Sequence, residues 1–236
     1  FEGEREQVVE VHDAGAALGL GVGAAEALDA GTTARLLRLR WQAMQAAVPV
    51  GAGAMAAVLG LDAALVARAC AEAAQGQIVS PANLNAPGQI VIAGVRAAVE
   101  RAGDRARALG ARRVVPLAVS APFHCALMQP AQERLALDLS GLVVSDPTVP
   151  VVANLDAEPK RDGAASIAAL VGQVTAPVRW EEVVRRLASE GVDTYVEVGS
   201  GSVLSGLIRK IDRGARVLSV TDSAGVDDAV SVLDIS

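Results

Sequence analysis

From Met55 to Val119 the sequence alternates strand-like and helix-like periods, with a punctuating residue at nearly every junction. This alternation restricts the segment more tightly than anything else in the chain. Met55–Leu61 is a run of small and branched apolar residues that reads as a strand. Asp62 stands where an N-cap is expected for a helix over Ala63–Ala74, because a short carboxylate accepts hydrogen bonds from a helix's first N–H groups. Gln77–Ser80 reads as a short strand broken by Pro81, and Asn83-Leu-Asn-Ala-Pro-Gly88 has turn chemistry. Gln89–Ala93 is a strand, Val95–Leu109 a helix closed by Gly110, and Arg113–Val119 a further strand. The order β-α-β-β-α-β is that of the ferredoxin-like split unit.

The flanks carry other patterns. Leu36, Leu37, Leu39, Met44 and Ala47 recur at helical spacing, interleaved with Arg35, Arg38 and Arg40, and Pro49 and Gly51 end that helix. Residues 1–31 have the weakest signal: Val8–Val11 reads as a short strand, Gly15–Gly23 as a glycine-rich stretch and Ala24–Ala30 as helical. After Ser120, helices are expected at Gln129–Leu139, Ala165–Val174, Glu181–Glu190 and Val203–Lys210. Strands are expected at Val149–Asn154, Thr194–Val198 and Val217–Val220. Strands alternating with helices imply a mostly parallel sheet and an α/β fold.

Composition narrows the classes. Of 236 residues, 52 % are apolar but only 2 % aromatic, so the core must be built from Ala, Val, Leu and Ile. A net charge of −6 argues against general nucleic-acid binding. No charge-free apolar run is long enough to span a bilayer, and no basic region precedes the apolar stretch at 14–25, so neither a membrane span nor a signal peptide is expected. Cys70 and Cys125 form neither a disulfide framework nor a metal-type spacing, which leaves a reducing cytoplasm as the simplest compartment.

His12 and His124 are the only histidines. His124 follows directly on a predicted strand, where open α/β sheets place their sites, and an imidazole suits general-base work near neutrality. Taken alone, it reads better as a loop histidine bonded to a backbone carbonyl. Cys125 adjoins it, but sequence neighbours seldom face one another productively. Gly199-Ser-Gly-Ser202 opens a helix, where an anion would be held or a tight turn made. Arg101, Arg105, Arg107, Arg112 and Arg113, with Arg185, Arg186, Arg209 and Lys210, either steer an acidic partner or lie on solvated helix faces.

Several segments in order resemble one family. Ser120-Ala-Pro-Phe-His124 matches a Ser-x-Pro-[Ser/Phe]-His motif. Met55-Ala-Ala-Val-Leu-Gly-Leu-Asp62, the stretch Ser80–Gly94 around Asn-Ala-Pro-Gly-Gln, and Arg40-Trp-Gln-Ala-Met-Gln45 resemble further segments, with Trp41 in place of a usual glycine. So do Val149–Asp156, Gln173–Trp180 and Glu197-Val-Gly-Ser-Gly-Ser202, with Ser200 in place of proline. Together they resemble the malonyl-CoA:acyl-carrier-protein transacylase family over about residues 32–211.

The resemblance implies an acyltransferase of fatty-acid synthesis. Such an enzyme moves malonyl from coenzyme A to the phosphopantetheine thiol of acyl carrier protein through a seryl ester, without a cofactor. It implies an α/β-hydrolase-like large subdomain (1–48 and 119–236) with an inserted ferredoxin-like small subdomain (49–118). Malonyl-CoA and acyl carrier protein are the implied partners of a cytoplasmic monomer. His124 is the implied base and Arg40 the implied grip on the malonyl carboxylate, a role suited to its planar fork. Gln173 is implied to orient the histidine, and Phe123 to wall the acyl pocket, although it reads equally as plain core. The departure is the nucleophile: no serine precedes Ser80 and no Gly-x-Ser-x-Gly elbow occurs. Family spacing counted back from Arg40 lands on Gly15; a second alignment deletes the elbow near Ala30–Gly31. The alternatives are therefore a serine-less module that binds carrier protein or a malonyl thioester, and a truncated copy.

Overall fold

Asp62 caps the helix that follows it: its Oδ1 accepts the Leu65 N–H at 2.8 Å. That helix, α3 (Ala63–Ala73), follows β1 (Gly53–Leu59) and precedes β2 (Val79–Ala86), β3 (Gln89–Val95), α4 (Arg96–Ala108) and β4 (Arg113–Pro116). The protein is seen in a computed structural model that describes residues 17–199 and 201–233; Val8–Val11, His12 and Gly15 lie outside them. The four strands form one antiparallel sheet in the order β2-β3-β1-β4. Strand alternation gives it two apolar faces. Ala56, Val58, Ile90 and Ile92 pack with Val66, Ala69 and Cys70 of α3 and Val99, Ala102 and Ala106 of α4. On the opposite face, Met55, Val91 and Ala93 pack with Ala82 and Cys125.

Two expectations in this segment change. Pro81 does not end a strand, and Asn83–Ala86 is strand rather than turn. Pro81 lacks an N–H, which a central strand would need, but β2 is an edge strand with register shifts at Pro81/Asn83 and Leu84/Ala86. The turn contracts to Pro87–Gly88, where Gly88 has a φ of +67°. The outer edge of β2 is itself covered: Leu84 N–H donates to Val178 O, and Val178 N–H to Ala82 O, each at 2.8 Å.

α3 and α4 are joined through Glu72, which accepts from Arg68 Nε at 2.7 Å and from Arg105 Nε. Hydrogen bonding from Arg105, then from Arg68, holds the Glu72 carboxyl down to about 2. A carboxyl depressed in the folded state contributes stability above its unfolded pKa and loses it as pH falls through the folded value. Glu72→Gln therefore melts below the unsubstituted protein at neutral pH, and the gap closes as pH falls from ~4.3 towards 2. A gap constant over that window in thermal melts would refute this account.

The rest of the chain packs in two further cores, one around Leu36, Met44, Leu135 and Leu170 and one around Val183, Leu187, Leu207 and Ile208. α1 (Ala17–Ala24) and α2 (Ala30–Ala46) precede β1. α5 (Gln129–Leu139), β5 (Val151–Val152), β6 (Pro159–Lys160) and α6 (Gly163–Gly172) follow β4, and a short 3₁₀ turn at Ala126–Met128 leads into α5. Then come α7 (Trp180–Ser189), β7 (Thr194–Val198), α8 (Val203–Ile211), β8 (Arg216–Val220) and α9 (Ser223–Leu233). Ala17–Ala24, within and beyond the glycine-rich stretch, is helical, whereas 25–29, expected to continue a helix to Ala30, forms a bend. Close approach explains the glycine: a Cβ on Gly23 would lie 2.5 Å from Thr33 Oγ1 of α2. Asp29 then caps α2, accepting Thr32 N–H at 2.9 Å.

The sheet structure here is mixed rather than mostly parallel. Among the described residues, β7 and β8 pair in parallel, while β5 pairs antiparallel with β6. Val149–Asn154 was expected to be one buried strand, but only Val151–Val152 finds a partner. The chain turns back within a few residues, through Ala157 at a φ of +59°, and so makes a hairpin instead of a crossover. Among the described residues no helix is long and apolar enough to cross a membrane, and no three His, Cys, Asp or Glu side chains converge as for a metal ion.

Candidate active site

His124 is placed by the loop that leaves β4. After Pro116 the chain is exposed through Ser120, then dives into the core at Ala121 and Pro122. Pro122 packs closely on the start of β1: a Cβ on Gly53 would lie 2.3 Å from Pro122 Cγ. Cys125 Sγ donates to Pro122 O at 3.1 Å, and its side chain lies in the apolar cluster behind the four-stranded sheet. Phe123 and Leu127 pack against that cluster and against the core around Leu36, Met44 and Leu170. The loop is thus wedged between the two cores.

His124 itself is 3 % exposed and has a φ of +58°. A left-handed backbone costs a residue bearing a Cβ roughly 1–2 kcal/mol, so surrounding contacts must hold it. One of them is a hydrogen bond of 3.0 Å between Nδ1 and the backbone O of Gln173. A carbonyl only accepts, so Nδ1 carries the proton and the Nε2 of the neutral ring is the basic nitrogen. Gln173 ends α6 and is 3 % exposed. This contact between Gln173 and His124 runs through the Gln173 main chain, not its side-chain amide.

Arg40 does not lie on a solvated helix face. It is 5 % exposed and shares the buried stripe of α2 with Thr33, Leu36 and Met44, while Arg35 and Arg38 are exposed. A guanidinium is expensive to bury and is seldom placed inside a protein without groups that need its charge. Trp41, which replaces the usual glycine, is 62 % exposed and displaces nothing from the core. Phe123 is half-buried.

Other candidates lose their roles. Burial pushes the Cys125 thiol up to about 11 and the Cys70 thiol to about 12, so neither is a nucleophile at neutral pH. The N-terminus of α8 is already filled: Glu197 of β7 accepts Leu204 N–H at 3.1 Å and Ser205 N–H at 2.9 Å. An internal carboxylate therefore occupies the helix N-terminus where the sequence left an anion or a tight turn open. Several basic side chains are occupied too. Arg101 bonds Ala73 O, Ala74 O and Gln77, Arg107 pairs with Asp104, Arg185 with Glu181, and Arg186 with Glu190 and Glu158. Lys210 bonds Gln89, and Arg209 bonds Val217 O. Arg112 and Arg113 stay exposed.

Two connections went unassigned in the sequence. Gln45 Nε2 donates to Ser120 Oγ at 2.8 Å, between two motifs that give no hint of touching. Asn154 O accepts Arg179 N–H at 3.0 Å, which ties the segment after Gln173 to the end of β5.

Known proteins are similar to this chain in sequence and in fold. The chain matches the acyl transferase domain model over residues 15–226. It is similar to the malonyl CoA-acyl carrier protein transacylase of Escherichia coli K12, 51 % identical over 184 residues, covering 78 % of this chain and 60 % of that one. The corresponding protein of Bacillus subtilis is 42 % identical over 198 residues, covering 84 % and 62 %. Among solved structures, an acyl carrier protein S-malonyltransferase from Vibrio cholerae superposes with a TM-score of 0.87 at 44 % identity, covering 89 % of this chain and 69 % of that one. A malonyl-transacylase in complex with its type II PKS acyl-carrier protein superposes with a TM-score of 0.91 at 43 % identity, covering 97 % and 74 %. The chain spans about three-fifths of the length of the curated relatives it matches.

Proposed function

The chain belongs to the acyl transferase domain family, and from that premise we propose that it moves a malonyl group from coenzyme A to the phosphopantetheine thiol of an acyl carrier protein. The observation that carries this reading is the family match over residues 15–226, within which Arg40 and His124 are both buried. In the proposed reaction, Nε2 takes the proton of a serine hydroxyl as its oxygen attacks the thioester carbonyl, and returns it to the departing coenzyme A thiolate. In the second half it takes the proton of the carrier thiol, which attacks the seryl ester, and returns it to the serine oxygen. Arg40 binds the malonyl carboxylate through two parallel hydrogen bonds. Phe123 forms the wall beside the acyl group and biases against a branched one, a preference worth ~1–3 kcal/mol per methylene. We read residues 49–118 as the ferredoxin-like subdomain, inserted between the two parts (1–48 and 119–236) of a hydrolase-like one. The strand order β2-β3-β1-β4 supports this division. A role in fatty-acid synthesis carries a cytoplasmic location with it.

One observation favours a second reading. No serine precedes Ser80, and no Gly-x-Ser-x-Gly elbow occurs. A chain that keeps Arg40 and an oriented His124 without that elbow would bind malonyl thioesters or carrier protein and release them unchanged. Incubation with malonyl-labelled coenzyme A, followed by denaturation and peptide mapping, decides between the readings. Label retained on a serine establishes transfer. Saturable binding with no retained label establishes the module. Neither binding nor label overturns both.

A further inference from the structure

The bond between Gln45 and Ser120 joins the helix that carries Arg40 to the loop that carries His124. Gln45 lies in the last turn of α2, five residues after Arg40, or about 7.5 Å further along the axis. Ser120 lies four residues before His124, at the end of the exposed stretch 116–120. That stretch is anchored upstream where Leu117 N–H donates to Met55 O at 2.9 Å, and it meets the core again only at Ala121. Between those points, the Gln45 side chain holds the loop, with Nε2 donating to Ser120 Oγ at 2.8 Å. An exposed hydrogen bond adds little to folding stability. Its effect here is geometric, because the loop must also hold His124 at a φ of +58°.

We propose that Gln45 and Ser120 act as a positioning pair that sets the His124 imidazole relative to Arg40. The pair touches neither substrate nor reacting atoms. It rests on the reading in which Arg40 grips malonyl and His124 is the base.

The test uses the whole chain and follows the imidazole directly. With only two histidines in the sequence, long-range ¹H–¹⁵N spectra resolve His124 once His124→Gln has assigned it. Gln45→Ala and Ser120→Ala are expected to keep the Nδ1–H tautomer, since the Gln173 bond is intact, but to shift the His124 resonances even without ligand. Each weakens malonyl-CoA binding about tenfold, the scale of one lost hydrogen bond, and leaves acetyl-CoA binding within about twofold, a carboxylate contact being absent there. Ser120→Thr, which keeps a hydroxyl, restores both signals. The double alanine variant is no worse than either single one. Unshifted His124 resonances and unchanged malonyl-CoA affinity in both single variants overturn the pair, as do losses that add in the double variant. The ligand-free spectra separate this from failure of the underlying reading. An unsubstituted chain that binds no malonyl-CoA sinks the transacylase role and with it the proposed purpose of the pair. Shifted resonances would then still record the coupling of loop to helix.

Discussion

Arg40→Ala is expected to lower malonyl-CoA affinity by about 10²-fold or more and to change acetyl-CoA affinity by less than about threefold. A bidentate charge-assisted contact contributes ~3 kcal/mol or more, and each 1.4 kcal/mol is a factor of ten in binding. Acetyl lacks the carboxylate, so the contact does not exist for it. Arg40→Lys separates charge from geometry: a lysine keeps the charge but loses the planar fork, and recovers only part of the difference. Arg40 lies on the buried stripe of α2 beside Leu36 and Met44, so its replacement also alters packing. Packing loss acts on both thioesters alike, and the ratio of the two affinities by titration calorimetry isolates the carboxylate effect. Equal losses for malonyl and acetyl would remove Arg40 from the substrate site.

The second large effect is on folding. Gly94→Ala is expected to destabilise the protein by at least about 3 kcal/mol, beyond the usual cost of overpacking. The added Cβ would lie 2.1 Å from Ile78 O and 2.6 Å from Val79 Cα, both backbone atoms, so no side-chain rotation relieves the clash. Gly94 pairs with Ala54 on one side and Val79 on the other. Making room there pries β2 from β3 and disturbs the edge that meets Val178. For a chain of this size such a loss lowers the melting temperature by roughly 6–12 °C. Gly141→Ala is the control, since nothing lies within 4 Å of its added Cβ. It melts close to the unsubstituted protein. Similar melting points for the two variants would show that the sheet relaxes around Gly94.

Local signals were legible wherever a residue's conformational preference and its tertiary surroundings agreed. Asp62 as N-cap, α5 over Gln129–Leu139 and β7 over Thr194–Val198 emerged as expected. Local signals misled where distant chain overrode them. Pro81 signals a break, yet an edge strand tolerates it. Gly23 disfavours a helix in isolation, yet its close approach to Thr33 calls for the small residue. α9 was not foreseen, and the hairpin partner β6 was too short to show.

By itself, the sequence determined the α/β class and the family, and it singled out Arg40, His124 and Gln173 as candidates for the chemistry. These follow from residue identity and spacing along the chain, and both survive any folding. Only the tertiary structure decided how those side chains are held. It buried Arg40 while leaving Arg35 and Arg38 in solvent, made the Gln173 main chain the partner of His124, and filled the α8 N-terminus with Glu197. It also joined Gln45 to Ser120 across 75 residues. The physical reason is that these contacts depend on where separate elements come to rest. A hydrogen bond between residues so far apart leaves no periodicity, cap or turn in the sequence to mark it.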